Sequence, residues 1–167
     1  MYEAPISCPI QRVEEAWIDY NGHMNMAYYS LAFDRGVDHV YDLLGIGAAY
    51  ARSGAGSCFI LEAHVNYLRE LVLEDPIEIR VQLLDWDAKR LHYFEQMYHA
   101  EQGYLAATSE QLALHVDMQT RRAAPFPPAT QTEIAALFDA HAGLPRPEQV
   151  GRCLLYTSPS PRDMIPD

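Results

Sequence analysis

The chain has 167 residues, of which 49% are hydrophobic and 21% charged, with a formal net charge of -11. That is one domain's length with enough apolar residues for a single sizeable core, and the balance is that of a globular protein rather than a disordered one. The acidic surplus argues against nucleic acid or an anionic membrane as a partner, since both select basic surfaces, but leaves room for an anionic small ligand on a local Lys/Arg patch.

The first ten residues, MYEAPISCPI, hold no basic region followed by an apolar run, and no apolar stretch reaches membrane-spanning length, so a cytoplasmic protein is expected. Residues 6–13 (ISCPIQRV) are apolar with Pro9 inside, which restricts them to an edge or first strand. From Met24 to Leu44 apolar residues occur on nearly every side (Ala27, Tyr28, Leu31, Val37, Val40 among them), which predicts a long helix buried on most of its circumference. Gly45 and Gly47 stop it, and 45–57 reads as a Gly/Ala/Ser-rich loop.

Strands follow. In 58–68, alternation puts Phe59, Leu61, Ala63, Val65 and Tyr67 on one face and Glu62, His64 and Asn66 on the other. In 76–84, Ile77, Ile79, Val81 and Leu83 alternate with Glu78, Arg80 and Gln82. Residues 91–99 read as a strand with mixed faces, and 104–117 as a strand ending in alternating Leu112, Leu114 and Val116. Turn signals separate them at 74–76, 85–87 and 101–103. After PFPP at 125–128, residues 130–141 read as a short amphipathic helix with Ile134, Leu137 and Phe138 on one side. A helix that is apolar all round needs a sheet curled about it, so the expected architecture is α+β: one antiparallel sheet wrapped around a long central helix, the hotdog fold. Residues 153–167 have no period and a Ser/Pro-rich core, and LLYTSPSPRD looks like translated sequencing-adapter read-through; the domain is expected to span 1–152, with a non-native tail after it.

Cys8, Cys58 and Cys153 are too few and too far apart for a disulfide framework or a zinc pattern, and reduced thiols are expected. The seven histidines are scattered, with no ligand spacing between them; neither a metal nor a cofactor is expected.

The helix is approached through WIDYNGHMN, in which Asp19, Asn21, Gly22, His23 and Asn25 crowd into seven positions. Capping and turn formation need fewer such residues. A helix N-terminus presents unpaired N–H groups, and Gly22 lets a ligand approach the backbone. N–H groups of residues 22–25 can therefore stabilise a carbonyl oxygen as it becomes an oxyanion. Asp19, a turn upstream, can act as nucleophile or as general base for water. Asn25 can orient the carbonyl or the water, and His23 can fix the loop or hydrogen-bond near the thioester. A thioester suits so sparse a site, because its thiolate leaves without a strong general acid.

Asp19-x-x-Gly22-His23-x-Asn25, followed by Ala27-Tyr28-Tyr29, resembles the D-x-x-G-H-x-N-x-x-Y signature of hotdog-fold acyl-CoA thioesterases of the 4-hydroxybenzoyl-CoA type. The resemblance implies that Asp19 is the catalytic carboxylate and that backbone N–H at the start of the helix polarises the thioester carbonyl. LEAHVNYLREL (61–71), LLDWDAKRLHYFEQMYH (83–99) and AATSEQLALHVD (106–117) are similar to the subgroup that hydrolyses betainyl-CoA in carnitine breakdown, also found fused to carnitine dehydrogenase. It further implies a dimer or tetramer, with sheets joined edge to edge and sites at the subunit interface. Glu62 and His64 are then candidates for substrate binding across that interface, with Tyr28 and Tyr67 near the acyl group. Coenzyme A enters as part of the substrate, and Arg69, Lys89 and Arg90 are the basic groups expected to meet its phosphates. A quaternary ammonium can be held only by aromatic faces and carboxylates; Trp17, Tyr20, Tyr28, Tyr29, Tyr67 and Trp86 are candidates for a cage. The competing readings are a non-catalytic acyl-CoA-binding module, against which the intact Asp19 weighs, and a hotdog enoyl-CoA hydratase, whose Asp and His stand five apart rather than four as Asp19 and His23 do.

Overall fold

The computed structural model describes residues 2–151; the expected break at 152 and the tail at 153–167 lie outside the described residues. The long strands are β3 (Gly56–Tyr67), β4 (Pro76–Trp86), β5 (Arg90–His99) and β6 (Leu105–Asp117). With the short β1 (Ile6–Ser7) they form an antiparallel sheet in the order β1-β4-β5-β6-β3; β2 (Gln11–Arg12) also pairs with β4, and β7 (Arg122–Ala123) with β6. Pro9 lies between β1 and β2, at the edge of the sheet where its missing N–H costs no ladder bond.

Helix α1 (Met26–Leu43) packs across one face of the sheet, against β4 and β6. It comes close to the sheet at Gly36, where a Cβ would stand 2.8 Å from Ile79 Cγ2, and Cys8 donates its thiol hydrogen to Gly36 O at 3.2 Å. Helix α3 (Pro128–His141) covers the core beside α1, with Ile134 and Leu137 buried, and His141 Nδ1 accepts from Leu83 N at 2.9 Å. Trp17, Phe33, Ile77, Ile79 and Met97 are among the fully buried side chains, each worth roughly 1.5–3 kcal/mol on burial.

Three expectations are corrected. The central helix is buried along one stripe, not most of its circumference: Tyr29, Ala32, Phe33, Gly36, Val37, Val40 and Tyr41 face the sheet, while Ala27, Ser30, Asp34, Arg35, Asp38 and Asp42 are exposed. Its apolar surplus had masked a charged face spaced at the same helical period. The 45–57 loop holds a short helix, α2 (Ala48–Arg52). In β3 the register shifts between Ile60 and Glu62, a bulge at Leu61 that breaks the strict alternation. Cross-strand partners share a face. Cys58 and Ile60 therefore join Ala63, Val65 and Tyr67 on the helix side, while Phe59, opposite Leu114, joins Glu62, His64 and Asn66 on the outer side.

Candidate active site

The approach to α1 is built almost wholly from its own backbone. A 3-10 turn at Glu15–Trp17 buries Trp17, and Ile18 then bridges to Met24. Between them the chain reverses: Asp19 Oδ1 accepts from Asn21 N at 2.8 Å, Asp19 O from Gly22 N at 3.0 Å, and Asp19 N donates to His23 O at 3.0 Å. Gly22 has φ +80°, the left-handed conformation this turn requires. Asn25 is the N-cap: Oδ1 accepts from Ala27 N at 3.0 Å, its own N–H goes to Trp17 O at 2.8 Å, and Nδ2 points to Asp19 Oδ2 at 3.4 Å.

These bonds decide which N–H groups stay open to a ligand. Of residues 22–25, the N–H groups of Gly22, Met24 and Asn25 are already spent, on Asp19 O, Leu71 O and Trp17 O. The N–H of Met26, first residue of α1, meets no acceptor among the described residues, and neither does that of His23. Met26 N–H stands where the helix dipole is positive, with Asn25 linking it to the half-buried Asp19.

Residues 68–71 brace this turn from outside. Leu71 O accepts from Met24 N at 2.8 Å, Arg69 O from the Tyr29 hydroxyl at 3.4 Å, and His23 Nε2 lies 3.1 Å from Glu70 Oε2. Glu70 O accepts from the Tyr104 hydroxyl at 3.0 Å, and the Arg69 guanidinium lies 3.9 Å from the centre of the Tyr104 ring. Tyr67, whose hydroxyl is 3.4 Å from Met26 O, packs edge-on against Tyr29 at 5.2 Å. Asp19, Gly22, His23, Asn25, Tyr28, Tyr67 and Arg69 therefore belong to one corner of the protomer.

Glu62, His64 and Arg90 do not. They line a cavity of about 550 Å³ on the outer face of the sheet, with Trp86, His92 and Arg146. There His92 Nε2 is 2.8 Å from Glu110 Oε1, and Arg90 is held by two contacts to Asp87, which lower the Asp87 carboxyl from its ordinary value. Lys89 is exposed in the adjoining turn.

The six aromatics do not converge on a cage either. Trp17 is buried, with Tyr28 stacked on it at 5.8 Å and Arg35 at 5.1 Å; Tyr29 is buried, Tyr20 is 98% exposed, and Trp86 faces the outer cavity. Trp17 and Tyr28 stack on each other and Tyr29 packs edge-on against Tyr67, and no ring contact among the described residues joins Tyr20 or Trp86 to either pair.

Sequence reasoning passed over the buried Glu95. Burial pushes its carboxyl well above the ordinary value, and Gln111 Nε2 donates to Oε2 at 2.6 Å. Leu91, Tyr93, Glu95 and Met97 fall on one face at a period of two, so an acid among inward residues was there to be found. Glu70 and the Met26 N–H carried no comparable signal, since both depend on tertiary contacts. No three His, Cys, Asp or Glu side chains gather as a metal group among the described residues, and no described helix is long and apolar enough to cross a membrane.

The profile of the thioesterase-like superfamily matches residues 13–134. The chain is 39% identical over 138 residues to a betainyl-CoA thioesterase of Pseudomonas aeruginosa, covering 83% of this chain and 87% of that protein. It is 33% identical over 148 residues to an L-carnitine dehydrogenase/betainyl-CoA thioesterase of Rhizobium meliloti, covering 89% of this chain and 30% of that larger protein. Among solved structures, a Staphylococcus aureus protein in complex with CoA superposes with a TM-score of 0.82 at 32% identity, over 90% of this chain and 94% of that one. A 1,4-dihydroxy-2-naphthoyl-CoA thioesterase from Synechocystis shares the fold at 16% identity, with a TM-score of 0.68 over 84% of this chain and 99% of that one. By the superfamily match over residues 13–134 and the identity along most of its length, the chain belongs to the thioesterase-like superfamily: it is a thioester hydrolase on a hotdog fold.

Proposed function

We propose that the protein hydrolyses betainyl-CoA to betaine and coenzyme A at the corner formed by Asp19, Asn25 and the N-terminus of α1. The observation that carries the site is the unmatched Met26 N–H beside the half-buried Asp19 carboxylate. The acyl group follows from the similarity to betainyl-CoA thioesterases along most of the chain. The thioester oxygen takes the Met26 N–H, which strengthens as charge develops there. Asp19 then either removes a proton from the attacking water or attacks the carbonyl itself, forming an anhydride that water opens. Either route breaks the C–S bond, gives water's oxygen to the freed acid and passes water's two protons on, one to the departing thiolate and one to solvent, so that Asp19 returns as a carboxylate. Asn25 Nδ2 orients the carboxylate, Gly22 shapes the turn, and His23 holds the loop to Glu70.

Dimerisation completes this reading. β3 is an edge strand with exposed Phe59, Ile60, Leu61 and Tyr67, followed by the exposed Leu68, the kind of edge that pairs with a second copy. Arg90 shares a sheet row with Leu114 and Phe59. Antiparallel pairing of two β3 edges sets the Phe59 end of one copy beside the Tyr67 end of the other. Arg69 of one copy and Lys89 and Arg90 of the other then converge on the phosphates of one CoA. Glu62 and His64, on the outer face with Arg90, serve the nucleotide end of the substrate rather than its acyl group. A cytoplasmic location and a domain ending near residue 152 fit the same reading.

The test is thiol release from a panel of betainyl-, acetyl-, butyryl-, 4-hydroxybenzoyl- and palmitoyl-CoA. Preference for the betainyl ester is expected. Preference for a neutral ester would discard the cationic substrate while keeping the thioesterase. Binding of CoA with no release from any ester would contradict the catalytic site.

A further inference from the structure

The segment that follows α3 crosses the outer face of the sheet. Gln82 Nε2 donates to Pro145 O at 3.4 Å, and Gly151 N donates to Glu110 Oε2 at 2.8 Å. Gln82, Phe94 and Glu110 share one outward row across β4, β5 and β6. Phe94, between the two anchors, is 1% exposed, so residues 145–151 lie over it as a strap. Within the strap Arg146 stands between Pro145 and Pro147. The first proline has a fixed φ and the second holds Arg146 in extended backbone, so the arginine is presented on a stiff stretch of chain.

The strap is one wall of the outer cavity and the turn between β4 and β5 is the other. Arg146 lines the cavity from the first, Trp86 and Arg90 from the second. Glu110 under the strap and Leu114 beside Arg90 are four residues apart on β6, which sets the walls about 14 Å apart. Leu112 lies on the floor between them. The acids at the two walls are already matched, Asp87 by Arg90, and Glu110 by His92 and the Gly151 N–H. The Arg146 guanidinium meets no hydrogen-bond or ion-pair partner among the described residues, and the Trp86 ring meets no other aromatic ring or cation among them. An unmatched guanidinium takes a phosphate through paired N–H donors, and an indole at the rim of a cavity stacks a flat base.

We infer that this trough holds the 3′-phosphorylated adenosine of coenzyme A, with Arg146 on the 3′-phosphate and Trp86 against the base; this rests on the reading of the substrate as a CoA ester. The diphosphate of the same molecule meets Lys89 and Arg90 at the turn wall, so the nucleoside beyond it runs into the trough toward the strap. A trough of that width takes a ribose with a phosphate on either side. The exocyclic amine of adenine is a donor, and the exposed Asp85 carboxylate beside Trp86 accepts from it. The superfamily match ends at residue 134, so Arg146 lies outside what the shared scaffold supplies.

The test is calorimetric titration of the full-length protein with coenzyme A and with 3′-dephospho-coenzyme A. Wild type binds coenzyme A more tightly by about tenfold or more. Arg146 is exposed, so its replacement leaves folding intact. Arg146→Gln brings the two affinities within about twofold by weakening coenzyme A alone, and Arg146→Lys keeps part of the difference. Trp86→Leu weakens both ligands alike by several-fold, which loss of a phosphate contact would not do. Equal affinities in wild type, or a difference that survives Arg146→Gln, overturn the proposal, and unchanged affinities in Trp86→Leu overturn its stacking half. Neither ligand carries an acyl group, so these outcomes stand apart from the choice of ester. A protein that tells the two ligands apart but prefers a neutral ester loses only the betainyl reading. Failure to bind either ligand overturns the CoA reading and the proposal together.

Discussion

The start of α1 and the outer face of the sheet are both dense in polar residues, yet they are built differently. At the helix start the polar groups are bonded to backbone: Asp19 to Asn21 and Gly22, Asn25 to Ala27 and Trp17, Met24 to Leu71. On the outer face side chains pair with side chains, His92 with Glu110 and Arg90 with Asp87, while the side chains of His64 and Arg146 meet no hydrogen-bond or ion-pair partner among the described residues beside a cavity of about 550 Å³. Backbone-anchored turns fix one carboxylate and one N–H, which is what charge development in a transition state needs. Loosely paired side chains around open space suit a large charged group that is bound but not altered.

Substitutions can break or sharpen this contrast. Asp19→Asn is expected to lower kcat by about 10²–10⁴-fold, with the fold and CoA affinity retained, because it removes the base or nucleophile and little else; steady-state thiol release and CoA titration check it. Asn25→Ala removes the cap and the tether to Asp19 together. Thermal unfolding should show a loss of about 1 kcal/mol, accompanied by a fall in kcat of roughly tenfold, whereas Asn25→Asp keeps the cap and loses only the amide donor. Glu95→Gln separates stability from the site. Glu95 keeps a proton in the folded protein that the unfolded chain has already lost, so stability conferred by the wild-type residue is full below the unfolded value of about 4.3 and is lost as pH rises toward the folded one. Urea midpoints should therefore show Glu95→Gln gaining on wild type as pH rises from 4 to 8, and a gap that narrows over that range would contradict the buried neutral carboxyl. His64→Ala, on the outer face, is expected to raise KM a few-fold at unchanged kcat, the mark of binding shared by ground and transition states.

Much of the fold was legible because it rests on local periodicity. The alternation in β4, the turns at 74–76, 85–87 and 101–103 and the amphipathic stretch of α3 appear as expected. Legibility failed where one residue changes the phase. The bulge at Leu61 reverses which side Phe59 faces, and alternation has no means of foreseeing an inserted residue. The site divides in the same way. Asp19, Gly22, His23 and Asn25 lie within seven residues, so their proximity was readable. The identity of the open N–H was not, because Leu71 and Trp17 decide which donors are already occupied. Glu62 and His64 lie on one side of β3 as expected, but only the sheet shows that this side faces away from α1.

The central claim is that the Met26 N–H stabilises the oxyanion, and Met26→Pro tests it most directly. Proline is tolerated at the first position of a helix, where its missing N–H breaks no helical bond. Asn25 already has φ -65° and ψ 143°, the extended conformation that a following proline requires, and the Met26 side chain is 63% exposed. The variant should therefore fold with near-native stability while kcat for betainyl-CoA falls by about 10²–10³-fold. A stable Met26→Pro protein with kcat within a few-fold of wild type would contradict the assignment.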